Sequence, residues 1–150
     1  MKKILLLLLA ALLFAGCETA DSLNDGKDTV KKLLEGAEWA QGRSSLIING
    51  KKFESDALGT VCAVYSYAGV KLPEENDTLL LMLEEKKLLF SRGVRLPGDI
   101  LFADGKCIGM VVRSNGKTGE TVYLGADSRG YITYISTMRK IKLFGRGAGL

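Results

Sequence analysis

The change of hydrophobic period at Pro97-Gly98 is the feature that most constrains how this 150-residue chain folds. Before it, apolar residues recur at helical spacing, as in Val30, Leu33 and Ala37. After it, short apolar segments alternate with turn pairs such as Asp104-Gly105, which is typical of strands joined by tight turns. Four segments are predicted as strands: residues 99–103, 107–113, 121–124 and 131–137. Helices followed by closely spaced strands predict an α+β domain, with N-terminal helices packed on an antiparallel sheet of about four to six strands.

Three helices are predicted ahead of these strands, over residues 28–40, 56–68 and 77–89. Asp56 is a favourable N-cap for the second helix, and Gly69 fits the left-handed position that ends it. Residues 46–48 predict a short strand before the turn pair Asn49-Gly50. The C-terminal tail, residues 139–150, is basic and glycine-rich, and its end is expected to fray.

The N-terminus has the layout of an export signal. Lys2 and Lys3 precede an unbroken apolar stretch, residues 4–14, which is shorter than a membrane span and is followed by two small residues and Cys17. This order resembles the bacterial lipoprotein box, in which the chain is cut before the cysteine and the cysteine is acylated. An ordinary cleaved signal is the alternative. The resemblance implies a lipoprotein signal peptide over residues 1–16, lipidation at Cys17, a flexible tether over 17–27 and a folded domain over 28–150.

Lipidation of Cys17 would make the membrane a partner and would place the protein in the bacterial cell envelope. Glu18 follows Cys17, so the Asp that retains many lipoproteins at the inner membrane is absent. The outer membrane is therefore the expected location in a bacterium with two membranes.

Composition argues against several other kinds of site. Of the 21 Lys and Arg residues, 19 remain without Lys2 and Lys3, against 17 Asp and Glu, and no nucleic-acid partner is expected from this balance. The chain contains no histidine, and Cys62 and Cys107 do not have the spacing of a zinc motif, so no metal or other cofactor is expected. An exported compartment permits a Cys62–Cys107 disulfide, although the two side chains are predicted to face different ways.

Two motifs carry a resemblance to a known family. Residues 56–70 read Asp-Ala-Leu-Gly at the start and Ala-Gly-Val at the end, and residues 96–102 read Leu-Pro-Gly-Asp-Ile-Leu-Phe. Residues 107–110 then read Cys-Ile-Gly-Met. In this order and spacing they resemble the NlpC-type cysteine peptidases, bacterial cell-wall hydrolases with a papain-like core. Their corresponding motifs are Asp-Cys-Ser-Gly with Ala-Gly-Ile or Ala-Gly-Val, Pro-Gly-Asp-Leu, and His-Val-Gly-Ile.

The groups that such a hydrolase needs are missing. On the family pattern Ala57 stands at the nucleophile position, Cys107 at the histidine position and Gly125 at the orienting position. A thiolate–imidazole pair performs the proton transfers of such a hydrolase, and Ala57 supplies no nucleophile. The resemblance therefore implies an inactive, lipid-anchored relative that binds a peptidoglycan peptide or an envelope protein. Its expected cleft is lined by Asp56, Ala57, Thr60, Cys107 and Asp127.

Three alternatives stay open. An active peptidase or amidase could use Cys107 as an unconventional nucleophile, whereas Cys62 is expected to be a buried structural cysteine. The protein could also be a structural surface lipoprotein without a small ligand. Finally, the resemblance could be accidental, in which case the chain is an unrelated α+β domain. The residues Asp56, Asp99 and Asp127 are read as a helix cap and two turn residues rather than as a carboxylate pair.

Overall fold

The computed structural model describes residues 26–150, which contain three α-helices. The predicted signal peptide, the lipidation site Cys17 and most of the predicted tether lie outside these residues. Helix α1 occupies residues 26–40, α2 spans Ala57–Tyr67 and α3 spans Asn76–Glu85. Residues 26 and 27 are already helical, so α1 includes the last two residues of the predicted tether. Within the described part of the chain, no helix has both the length and the apolar character needed to cross a membrane.

Eight strands form two antiparallel sheets. A two-stranded hairpin joins β1 and β2 through Asn49-Gly50, whose φ values of 51° and 81° are those of the turn that the pair favours. The six-stranded sheet has the order β3-β8-β4-β5-β6-β7. The bounds of the strands are Leu46–Ile48, Lys51–Phe53, Leu89–Phe90, Ile100–Ala103, Lys106–Ser114, Thr121–Ala126, Ile132–Thr137 and Leu143–Gly145, in chain order from β1 to β8.

The helices pack on one face of the six-stranded sheet, and this confirms the predicted α+β architecture. Leu33 of α1, Val64 of α2 and Leu79 of α3 are fully buried in one core with the inward side chains of the sheet. The opposite face, called the outer face below, carries a second and smaller apolar cluster. That cluster consists of Leu101, Val111 and Phe144, with Phe90, Ile108, Tyr123 and Ile141 packed around them.

A β-bulge in β5 sets which side chains reach the helices. Leu101 pairs with Gly109 and Phe102 pairs with Cys107, so Ile108 is an extra residue opposite β4. As a result Cys107 joins the core beneath the helices, whereas Ile108 packs on the outer face. Gly109 has φ +154°, and a Cβ there would lie 2.2 Å from the Leu124 carbonyl oxygen, so the bulge requires glycine at this position.

The C-terminal tail is ordered, and the expectation that its end frays was wrong. Strand β8, Leu143–Gly145, inserts between β3 and β4, and the short 3₁₀ turn Gly147–Gly149 follows it. Phe144 is 1% exposed, and Leu150 packs against the main core. The tail stays in place because apolar contacts and strand pairing on both sides outweigh the entropy of a free end.

Helix α3 is shorter than predicted. It ends at Glu85, and Lys87 then adopts φ 57°, which turns the chain out of the helix. Leu88 and Leu89, which fit the helical pattern, leave it instead, and Leu89 begins strand β3. Strand β3 pairs with β8, whose partner residues lie 54 and 56 positions further along the chain, and local periodicity does not indicate such a tertiary contact.

Candidate functional site

The start of α2 is built as the sequence predicts. Asp56 is the N-cap, and its Oδ1 accepts a hydrogen bond of 2.6 Å from the Gly59 N–H. Ala57 is therefore the first residue of the helix, where the free N–H groups and the peptide dipoles would stabilise an anion. A Cβ at Gly59 would lie 2.0 Å from the Glu54 carbonyl oxygen, so glycine is needed for the preceding loop to pass close by.

The end of α2 also follows the prediction. Gly69 has φ +84°, its N–H donates to Ser66 O over 3.0 Å, and the Val70 N–H donates to Tyr65 O over 2.8 Å. These two bonds form the Schellman arrangement that ends a helix at a left-handed glycine. Both ends of the family-like helix are therefore fixed by their own local chemistry.

Cys107 lies in β5 under the helix layer and is close to the start of α2. It is 6% exposed, and its backbone N–H donates to Asn76 Oδ1 at the start of α3 over 2.8 Å. The pKa of the Cys107 thiol is raised to about 12, mainly by burial; the Gly109 N–H opposes this rise, and electrostatic interactions with Cys62 and Asp56 add to it. The position that the resemblance aligns with the family histidine therefore shares one core with α2, the helix that begins with Ala57.

Cys62 is a buried core residue, as predicted, but it does not lie on a remote side of the molecule. The pKa of its thiol is raised to about 12, mainly by burial and to a smaller extent by the charges of Glu74 and Asp56. Its Sγ donates to the Pro73 carbonyl oxygen over 3.5 Å. The two cysteines are near enough to influence each other electrostatically, and both are free thiols in this structure.

Two of the other predicted cleft residues have their polar groups engaged locally. Thr60 is fully buried, and its hydroxyl donates to Asp56 O over 2.6 Å, so it offers nothing to a ligand. Asp127 closes the β6–β7 turn, where its Oδ1 accepts hydrogen bonds from Arg129 N–H and Tyr131 N–H over 2.9 and 3.0 Å. These bonds and the Arg129 charge hold the pKa of the Asp127 carboxyl below its usual range.

Gly125 lies on the opposite face of the sheet from Cys107. A Cβ at Gly125 would meet Ile108 O at 2.7 Å and Tyr123 Cε2 at 3.1 Å, and Tyr123 belongs to the outer cluster. Side chains alternate along a strand, and the neighbouring Leu124 belongs to the core beneath the helices, so position 125 faces the other way. The structure therefore does not bring the aligned orienting position together with Ala57 and Cys107.

Cys107 is poorly suited to act as a nucleophile. Burial raises the pKa of its thiol, so the thiol stays protonated at neutral pH, and the sequence contains no histidine to activate it. Within residues 26–150, no three Cys, Asp or Glu side chains are grouped as a metal site would need. Four surface cavities of this region are lined by residues other than the five predicted cleft residues.

One polar cluster was missed by the sequence interpretation. Asp99, read there as a turn residue, is 1% exposed and accepts hydrogen bonds of 3.2 Å on both of its oxygens from the Arg146 guanidinium. Its Oδ2 also accepts from the Leu96 N–H over 2.7 Å, and the hydroxyl of Tyr65 donates to the neighbouring Gly98 O over 2.5 Å. Asp99 and Arg146 are 47 residues apart, and no local pattern predicts their pairing.

Comparisons with protein-family models, curated proteins and solved structures gave no match for this chain.

Proposed function

We propose that this chain is a lipid-anchored, catalytically inactive NlpC-like protein of the bacterial cell envelope that binds a peptidoglycan peptide or an envelope protein partner. One observation carries the proposal. Helix α2, which begins with Ala57 after its cap, packs against strand β5, which carries Cys107, and neither position supplies a usable nucleophile or base. This supports a relative of the hydrolases without the groups that transfer protons.

The alternative of an active enzyme using Cys107 is less well supported. An effective thiol nucleophile has a lowered pKa and access to its substrate. Cys107 has a raised pKa, is 6% exposed, and is held through its backbone N–H by Asn76. Both properties favour a structural role for this thiol.

The surface offered for binding is the start of α2. Asp56 is exposed and negatively charged, and Ala57 beside it is partly exposed. An exposed carboxylate next to a small side chain suits the free amino group of a peptidoglycan stem peptide, because opposite charges attract and no bulky group blocks the approach.

Incubation of the purified protein with insoluble peptidoglycan tests the proposal. We expect the protein to co-sediment at low salt and to release no soluble fragments detectable by mass spectrometry. Asp56→Asn keeps a capping side chain but removes the charge, so it should lower the bound fraction without loss of folding. Glu85→Gln, at the exposed end of α3, is the matched control and should bind like the unchanged protein.

Fragments released by the unchanged protein but not by Cys107→Ala would contradict the inactive assignment and support the active alternative. Absence of co-sedimentation would exclude peptidoglycan as the ligand. Crosslinking in intact envelopes would then separate a protein partner from a structural surface role. Lipidation is tested independently by metabolic labelling with a palmitate analogue, which Cys17→Ala should abolish and Cys62→Ala should not.

A further inference from the structure

The six-stranded sheet has one end at which basic and exposed apolar side chains meet. This basic end is formed by residues 93–95, 113–121 and 138–141. Two adjoining cavities there, of about 260 and 490 Å³, share Ser114, Asn115, Gly116 and Glu120 in their linings. Their charged lining residues are five basic side chains and one acidic, namely Arg95, Arg113, Lys117, Arg139, Lys140 and Glu120.

The charges of the basic end are largely uncompensated. Glu120, the single acid among them, accepts a hydrogen bond of 2.8 Å from the Ser136 hydroxyl. Among the described residues, none of the five basic side chains forms an ion pair with an acid. Val94 and Met138 line the smaller of the two cavities, of about 260 Å³, and are 64% and 66% exposed, so two apolar side chains lie open to solvent among the basic ones.

Hydrogen bonds hold the loops of the basic end in place. The Ser114 hydroxyl donates to Arg95 O over 2.6 Å, which ties the loop before β4 to the end of β5. The Arg95 guanidinium donates to Gly93 O and Ile141 O and lies 4.9 Å from the Phe144 ring centre. Arg95 therefore connects both loops of the basic end, whereas Arg139, Lys140, Arg113 and Lys117 form no ion pair within the described residues.

The chain enters the domain at this same end of the sheet. Ser114 pairs with Thr121, and Thr121 pairs with Thr137, so these three residues lie at one end of the sheet. Strand β4 begins at this same end, just after Gly98. A Cβ at Gly98 would lie 3.9 Å from Val30 Cγ2 in the first part of α1. The far end of α1 lies at the other end of the sheet, because the Gly42 N–H donates to Ile132 O over 3.0 Å.

The length of chain before α1 limits how far this end can lie from a lipid anchor. Eight residues, 18–25, lie between Cys17 and the first described residue, Gly26. At about 3.5 Å per residue they span at most roughly 30 Å. A domain held this closely meets the bilayer at a high effective concentration, so even a weak surface contact is populated.

We propose that the basic end is a membrane-docking surface that binds the phosphate groups of anionic phospholipids, with Val94 and Met138 inserted at the headgroup level. Basic side chains next to a bilayer are attracted to anionic lipids, and exposed apolar side chains among them gain burial in the interface. This inference rests on the proposed lipid anchor at Cys17, which brings the surface to the bilayer. It extends the proposed function because it fixes the orientation of the domain and leaves the opposite end of the sheet, with Cys107 and the start of α2, facing away from the membrane.

The experiment uses the mature chain, residues 17–150, with Cys17→Ser, so that no acyl chain contributes to binding. Sedimentation with vesicles of phosphatidylcholine containing about one-third phosphatidylglycerol should show binding at low salt that is lost at high salt, and vesicles of phosphatidylcholine alone should bind weakly. Arg139→Gln with Lys140→Gln should weaken binding by about 25-fold, since each basic side chain contributes about fivefold. Met138→Ser should also weaken binding at low salt, although it leaves the charge unchanged.

The matched control is Lys106→Gln with Arg129→Gln, which removes the same charge from turns at the opposite end of the sheet. Equal losses in the control and in the Arg139/Lys140 variant would overturn the proposal, because they would show a dependence on net charge alone. Binding of a soluble oligoglutamate peptide without binding of anionic vesicles would also overturn it and would assign the basic end to an acidic protein partner. Failure of Cys17 labelling in cells, with vesicle binding intact, would instead contradict the lipid anchor and leave the docking surface standing.

Discussion

Replacement of Arg146 by Met is expected to lower the free energy of unfolding, and the size of the loss measures how strongly this residue holds the C-terminal strand. The substitution keeps most of the apolar length of the side chain but leaves the carboxylate of Asp99, which is 1% exposed, without its charged partner. Loss of one member of a buried pair costs about 3–5 kcal/mol. The Arg146 side chain is 33% exposed, so water can partly replace it, and we expect a loss nearer to 2–4 kcal/mol.

Contacts with aromatic rings add to this value. The Arg146 guanidinium lies 5.1 Å from the Phe90 ring centre and 5.7 Å from that of Phe144, and each such contact contributes about 0.5–1 kcal/mol when partly exposed. The two contributions together amount to about 3–6 kcal/mol, which corresponds to a fall in melting temperature of roughly 10–20 °C for a domain of this size.

Urea and thermal unfolding of purified variants measure the effect. The urea midpoint should fall with little change in slope, because the amount of surface exposed on unfolding is similar. Arg113→Met, which removes an exposed arginine from β5, is the matched control and should change stability by less than about 0.5 kcal/mol. Asp99→Asn combined with Arg146→Met should recover part of the loss, since no buried charge is then left unpaired. A loss below about 1 kcal/mol for Arg146→Met, or strict additivity in the double variant, would refute the importance of this pair.

Two further predictions concern the bulge and the thiols. Gly109→Ala should destabilise the domain by more than about 2 kcal/mol in urea unfolding, because its Cβ would lie 2.2 Å from Leu124 O; a neutral effect would show that the bulge adapts easily. Cys62 and Cys107 have folded pKa values of about 12 against 9.0 for a free thiol, so their protonated forms favour the folded state below about pH 9, and this stability is lost as the pH rises towards 12. Between pH 8 and 11, the free energy of unfolding should therefore depend less on pH in the Cys62→Ala/Cys107→Ala variant than in the unchanged protein. Both native thiols should also react only slowly with a disulfide reagent. Identical pH profiles of the two proteins would contradict the assignment of both thiols as buried.

The candidate site was predicted from sequence where local chemistry fixes it. Asp56 caps α2 and Gly69 ends it through bonds that span at most five residues, so their identities alone indicated the helix. The positions of Thr60 and Gly125 could not be obtained in this way. Thr60 is buried by the packing of α2 on the sheet, and the side of the sheet that Gly125 faces depends on strand alternation and on the pairing of β5 with β6.

The sequence by itself determined the α+β class, the caps and turns of the elements, and the lack of an imidazole, because periodicity, turn chemistry and composition are local or additive properties. Tertiary structure alone decided that β8 enters the sheet between β3 and β4, that Asp99 is neutralised by Arg146, and that a bulge directs Cys107 beneath the helices. These features arise from contacts between distant parts of the chain, whose free energy depends on burial and partner geometry that no short stretch of sequence contains.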